Sequence, residues 1–319
     1  MRIVYMGTPE IAAVVLERLL ESEHEVIAVV TQPDKPKGRG KEMACSDVKK
    51  VALAHELPIY QPEKARDEAF VEQMRALAPD LIVVTAFGQI LPKALLELPK
   101  FGCINVHASL LPKYRGASPI QWAIINGDKV TGVTIMHMAE GIDTGDMITK
   151  ELVEIAPDET GGSLHDKLAV AGGSALMTAI AQLENGTAVR IPQEESEPTY
   201  VGMLKKEKGQ LDFSHPAVVL ERLVRGLNPW PSTYTAFNGK LLKIWRADVI
   251  EELPQPLAKK VREQVLRPGS IVNVEKEYFD ILTGEGLLRI RELQLEGKRR
   301  MTAEEFLRGY EVTEGLLLG

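Results

Sequence analysis

The sequence predicts a doubly wound, mostly parallel α/β domain followed by a small β-barrel of the five-stranded OB type. Three observations lead there. Over the first 150 or so residues, short apolar runs alternate with helical patterns. A polar stretch, 185–210, then interrupts the pattern with acids, prolines and lysines. Beyond it come several short β-rich runs separated by turn residues, with little helix. The first texture is that of strand–helix–strand units and the last that of a small barrel.

The elements follow in order. "RIVYMG" (2–7), "EVIAVVT" (25–31), "DLIVVTAF" (80–87) and "CINVHASL" (103–110) are continuous apolar runs, as strands buried on both faces require. Helices are expected at 10–20, 46–56, 67–78 and 118–126. The first has a start signal, with Thr8 as N-cap and Pro9 in the first helical position. In the last part, "STYTAFNGKLLKIWRA" (232–247) is a hairpin turning on Asn238-Gly239. The expected organisation is a catalytic domain at 1–189, a linker at 190–207 and the barrel domain at 208–319.

Composition narrows the class. The 319 residues are 45% hydrophobic and 26% charged, a globular balance too long for one ordinary core. The opening "MRIVYMGTPEI" lacks a basic region followed by a continuous apolar run, and no stretch approaches a membrane span, so a cytoplasmic protein is expected. Two cysteines, Cys45 and Cys103, form no paired spacing and fit a reducing compartment. Residues 1–205 carry 20 basic and 28 acidic side chains, the remainder 18 and 17, so any polyanion site must be built from local patches. One such patch is "TQPDKPKGRGK" (31–41), with Lys35, Lys37, Arg39 and Lys41 against a single acid, Asp34. Its prolines and glycines argue against helix or strand, and it reads as a flexible basic loop after the second strand. Others are Lys205, Lys206 and Lys208, and the hairpin residues Lys240 and Arg246, which an even spacing puts on one face.

The densest polar constellation is "NVHASLLPKYRGASP", 105–119. Asn105 and His107 lie two apart on a strand and so point to the same side. At a strand's carboxyl end, where ligands of such sheets bind, an amide and an imidazole can donate to a developing oxyanion. The plainer alternative is a core histidine beside a turn-forming asparagine. Downstream, "AEGIDTGDMI" (139–148) sets Asp143 between Gly141 and Gly145, where it could orient His107 or relay a proton. The turn "MGTPE" has one glycine and a proline in place of a donor, so a dinucleotide site is not expected. The six histidines are scattered, His55-Glu56 is not completed to a zinc motif, and no metal is expected.

The string "NVHASLLPKYRGASPIQWAIINGD" with "GIDTGDMI" downstream resembles the formyltransferase family that uses 10-formyltetrahydrofolate. The resemblance runs from residue 1 to about 310; one departure is Ile142, where the family pattern has leucine. It implies a Rossmann-like catalytic sheet, catalytic roles for Asn105, His107 and Asp143, and a folate contact from Ser109, Leu110, Leu111 and Pro112. Within the family, "MRIVYMGTPE", the basic loop, "KKEKGQLDF" and "LNPWPSTYT" are similar to the branch that formylates methionine carried on initiator tRNA. That implies tRNA contacts from Lys35, Lys37, Arg39, Lys41, Lys206 and Lys208, a barrel that assists them, no membrane partner, and a monomer. A formyltransferase acting on a small amine, such as an amino sugar nucleotide or glycinamide ribonucleotide, shares the Asn/His/Asp core and is the alternative. A non-catalytic RNA-binding protein would not need that core.

Overall fold

Each apolar run of the first part becomes a buried strand because helices cover both faces of the sheet it joins. The computed structural model describes residues 1–37, 42–194 and 198–319, which form two compact units. The first unit comprises Met1–Pro119, Val130–Glu154 and His165–Val201, the second Ile120–Lys129, Ile155–Leu164 and Gly202–Gly319.

The strands of the first unit are β1 (Arg2–Gly7), β2 (Glu25–Val30), β3 (Lys35–Lys37), β4 (Glu42–Ala44), β5 (Ile59–Tyr60), β6 (Leu81–Thr85), β7 (Cys103–His107), β8 (Arg115–Gly116), β9 (Val130–His137), β10 (Met147–Glu154) and β11 (Tyr200–Val201). Helices α1 (Glu10–Leu20), α2 (Asp47–Ala54), α3 (Glu68–Leu77), α4 (Lys93–Leu96), α5 (Pro119–Ile125) and α6 (Gly161–Glu184) are interleaved with them along the chain. Seven strands form one sheet in the order β10-β9-β7-β6-β1-β2-β5. Pairing is parallel from β7 to β5 and antiparallel at β7-β9 and β9-β10. On one face Val4, Met6, Val30, Ile82 and Val84 pack with Phe70 and Met74 of α3. Ile11, Ala12, Val15, Leu16 and Leu19 give α1 a buried stripe at helical spacing. A fully buried side chain such as Leu16 contributes about 2–5 kcal/mol against truncation to alanine.

Two local expectations change. Thr8 does not cap α1: its hydroxyl donates to the Phe87 carbonyl at 3.1 Å, tying the end of β1 to the loop after β6. The helix itself spans Glu10–Leu20 as expected, with Pro9 at the N-cap position and its carbonyl accepting from Ala12 and Ala13. The basic loop is not free of strand either. β3 and β4 pair antiparallel, Lys35 with Ala44 and Lys37 with Glu42, and Pro36 is tolerated on this two-stranded edge. At its base, Lys49 Nζ lies 2.6 Å from Asp34 Oδ2 and Gln61 Nε2 donates to Oδ1 at 2.8 Å. Lys49 and then Gln61 hold the Asp34 carboxyl below the usual carboxylate range.

The second unit contains α7 (Ala217–Gly226), β12 (Thr233–Phe237), β13 (Lys240–Ile250), α8 (Gln255–Glu263), β14 (Ile271–Val274), β15 (Phe279–Leu282), β16 (Leu287–Leu295), β17 (Met301–Thr302) and α9 (Ala303–Gly309). Its antiparallel sheet runs β12-β13-β16-β15-β14, with β17 paired to β16. The predicted hairpin is present: Asn238 (φ 48) and Gly239 (φ 74) are both left-handed, as a tight primed turn requires. Leu220 and Val224 of α7 and Phe306 of α9 close the core over Leu242, Ile244, Leu288 and Ile290. Lys240 and Arg246 do not share a face. Register shifts between Ile244 and Ala247 change the phase of β13, so Leu242 and Ile244 are buried before them and Ala247 after them.

Candidate active site

β7 fixes the centre of the site. Its Val84↔Asn105 pairing with β6 and its Asn105↔Met136 and His107↔Thr134 pairings with β9 hold the backbone from both sides. The period of two then turns Asn105 and His107 to the same side, as expected. The strand stops where the Ser109 amide donates back to the His107 carbonyl at 2.9 Å. Past that point the chain is pinned by Ser109 Oγ to the Lys113 carbonyl (2.6 Å) and by Thr134 Oγ1 to the Ser109 carbonyl (2.7 Å). Lys150 Nζ adds a bond to the Leu111 carbonyl at 2.6 Å, and its burial draws the lysine below its ordinary pKa.

Asp143 comes to this edge on the loop between β9 and β10. It sits in the left-handed region at φ 52, a strained conformation for a residue with a Cβ. Gly145 permits the loop's approach: a Cβ there would lie 1.7 Å from the His137 carbonyl oxygen. The carboxylate accepts from the Gly116 amide at 2.8 Å through Oδ2, and Asn105 Nδ2 stands 3.5 Å from Oδ1, at the limit of a hydrogen bond. His107 Nδ1 faces Oδ2 at 3.7 Å. The other ring nitrogen, Nε2, lies 2.9 Å from the Tyr114 carbonyl oxygen. A carbonyl can only accept, so Nε2 carries a hydrogen and Nδ1 is the nitrogen left to meet a substrate.

The three residues picked from the sequence as a catalytic group are thus in one place. Asn105 has two amide hydrogens, of which Asp143 can take one, leaving the other for an oxygen that gains charge. The segment expected to contact folate is mixed. Ser109 and Leu111 are buried, the former with its hydroxyl turned inward and the latter packed on Met136 and Met147. Leu110 and Pro112 keep partly open surfaces. Of the expected tRNA contacts, Lys35 is exposed on β3, while Arg39, Lys41 and the side chain of Lys37 lie outside the described residues. Lys206 and Lys208 are exposed on a 3-10 turn, Lys206–Gly209, in the second unit, with Lys208 Nζ 5.3 Å above the Trp122 ring.

Residues that went unnoticed in the sequence complete the surroundings. Arg115 is fully buried, with Nε 2.9 Å from Gln193 Oε1 and Nη1 2.9 Å from the Tyr200 hydroxyl. Gln193 Nε2 donates to the carbonyls of Asp143 and Gly145, each at 2.8 Å. Thr199 accepts from the Tyr114 and Arg115 amides, and β11 pairs with β8. The stretch expected as a linker from 190 therefore packs into the first unit as far as Val201. A buried arginine demands polar partners, which was the available signal. The partners were hidden because "PQEESEP" reads as solvated chain. Among the described residues no group of three or more His, Cys, Asp or Glu side chains is placed to hold a metal, and no helix is long and apolar enough to cross a membrane.

A doubly wound sheet with an amide, an imidazole and a carboxylate meeting at its carboxyl edge defines a group-transfer enzyme scaffold. Residues 1–180 match the family described as Formyl transferase, and residues 203–311 match the Formyl transferase C-terminal domain. The chain belongs to the formyl transferase family. The methionyl-tRNA formyltransferase of Lachnospira eligens is 52% identical over 319 residues, all of both chains, and that of Alkaliphilus oremlandii is 49% identical over the same span. In fold, the chain resembles an N-formyltransferase from Helicobacter canadensis, solved in complex with folinic acid and dTDP-3-aminofucose. That match has a TM-score of 0.64 at 18% identity, covering 94% of this chain and 100% of the other.

Proposed function

We propose that this chain transfers the formyl group of 10-formyltetrahydrofolate to the α-amine of methionine carried on initiator tRNA, in the cytoplasm and as a monomer. The observation that carries the chemistry is the meeting of Asn105, His107 and Asp143 within 3.5 to 3.7 Å at the carboxyl edge of β7. The choice of acceptor rests on the methionyl-tRNA formyltransferases that are similar over the whole length of the chain.

The amine attacks the formyl carbon, forming a carbon–nitrogen bond and a tetrahedral oxyanion. With the His107 ring in its imidazolium form, in which Nδ1 carries a hydrogen as well as Nε2, that Nδ1 hydrogen and the free Asn105 amide hydrogen donate to the oxyanion. Asp143 keeps both groups turned to the same point and takes up the proton that the amine loses, directly or through water. Collapse breaks the bond to the folate nitrogen, which leaves with that proton. Leu110 and Pro112 offer the folate an apolar edge, and Lys150 keeps their turn in place. The first unit carries the chemistry, extending past the expected boundary at 189 as far as Val201, and the second unit, with Lys206 and Lys208, assists tRNA binding in the manner of an OB domain. Lys35, Lys37, Arg39 and Lys41 form the basic arm that meets the acceptor stem.

The test is a competition. The protein is given 10-formyltetrahydrofolate with charged initiator tRNA, charged elongator tRNA or small amines, and formyl incorporation is measured. Preference for initiator tRNA is expected. Preference for an amino sugar nucleotide or glycinamide ribonucleotide would replace the acceptor while keeping the reaction.

A further inference from the structure

The loop that carries Asp143 has no regular structure, two glycines and a left-handed aspartate, so something outside it must fix its conformation. We propose that Gln193 is a positioning residue for formyl transfer, setting the Asp143 carboxylate by gripping the loop's backbone with Arg115 as its support. The role rests on the assignment of Asn105, His107 and Asp143 made above.

The geometry is specific. A primary amide nitrogen has two hydrogens, and Gln193 Nε2 meets two carbonyl oxygens, those of Asp143 and Gly145, at 2.8 Å each. The Asp143 carbonyl belongs to the residue whose side chain must be aimed, so these bonds fix the peptide from which that side chain projects. The amide cannot be turned round. Its oxygen accepts from Arg115 Nε at 2.9 Å, and the reverse orientation would set oxygen against two carbonyls and nitrogen against a guanidinium. Arg115 is fully buried and anchored by its own amide to the Thr199 carbonyl and by Nη1 to Tyr200. The next residue, Gly116, donates directly to the Asp143 carboxylate. β8 thus holds Asp143 twice, at the carboxylate through Gly116 and at the backbone through Arg115 and Gln193.

The segment bearing Gln193 has a separate attachment. Ile191 exchanges two backbone hydrogen bonds with Met147, at 2.8 and 2.9 Å, so removing the amide leaves the chain in place. Gln193→Glu preserves the volume and the acceptor for Arg115, and removes both donors.

Steady-state kinetics on the full chain test the proposal. With Gln193→Glu, kcat is expected to fall about tenfold or more, with both KM values changing by less than about twofold, because the loss is one of alignment. Gln193→Met, which has no charge but also removes the acceptor for Arg115, should lower kcat at least as far. In an Asp143→Asn background, adding either substitution should lower kcat by less than about twofold, since the group being aimed is already gone. Multiplicative losses in that background, or unchanged kcat in the single variants, overturn the proposal. If neither variant folds, Gln193 is a structural support only and the proposal falls. Wild-type kcat in Asp143→Asn alone would instead remove the site assignment on which it rests.

Discussion

Nδ1 of His107 stands 3.7 Å from the Asp143 carboxylate, while Nε2 of the same ring is tied to the Tyr114 carbonyl at 2.9 Å. The imidazole is therefore held by its far nitrogen and offers the near one to the same space as the Asn105 amide. Asp143 closes that space on the third side.

Asn105→Ala removes the one amide donor on β7. Turnover is expected to fall about a hundredfold or more, the usual loss for an oxyanion donor. KM for the folate should hardly move, because the strand is fixed by its neighbours in the sheet. Initial-rate kinetics check both numbers, and near-normal turnover would exclude the role.

Gly145→Ala probes the approach of the Asp143 loop to β9. The added carbon would meet the His137 carbonyl at 1.7 Å, a backbone atom that cannot yield like a side chain. Loss of about 1–3 kcal/mol in stability is expected, together with a fall in kcat as Asp143 shifts. Thermal unfolding and turnover measured on the same preparation separate the two effects.

His137 predicts a pH dependence. Burial, followed by the Arg190 charge, holds its pKa below the ordinary 6.5, with Asp146 opposing. The unfolded chain thus takes up a proton below about pH 6.5 that the folded chain refuses, and stability falls as pH drops through that value towards the lower folded pKa. His137→Gln should flatten this part of the curve. The urea midpoint of the two proteins, compared at about pH 7.5 and about pH 5.5, shows it. Equal losses in both would exclude His137 as the cause.

Lys35 and Arg39 to Ala together should weaken use of charged tRNA and lower the slope of its logarithmic salt dependence by about one for each phosphate no longer neutralised. Folate KM should be unchanged. A fall in folate affinity with tRNA use intact would assign the arm to the other substrate.

The sheet was legible in the sequence because continuous apolar runs have few other uses. The same-side placement of Asn105 and His107 followed from strand periodicity alone. The hairpin was legible from Asn238-Gly239, where two left-handed residues are needed in a row. What escaped depended on neighbours remote in sequence. Thr8 looked like a cap, but its hydroxyl hydrogen goes to the carbonyl of Phe87, 79 residues away, and its oxygen faces the Gln32 amide at 3.4 Å instead of the helix's own first amides. Gln193 looked like a linker residue because its acidic neighbours outvoted it. Arg246 was assigned the wrong face because a bulge leaves no mark in a β-branched and aromatic run. Local propensity speaks for the segment in which a residue sits, and none of these three residues takes its role from its own segment.

β7 is the strand at which the sheet changes from parallel to antiparallel pairing, and it carries two of the three residues proposed to react, clamped by β6 on one side and β9 on the other. In the proposed reading the transfer chemistry sits on that strand, while the residues proposed to contact the acceptor lie elsewhere in the sequence. Re-engineering this chain towards a new amine is accordingly a matter of rebuilding its periphery, with the strand left untouched as a portable reaction core.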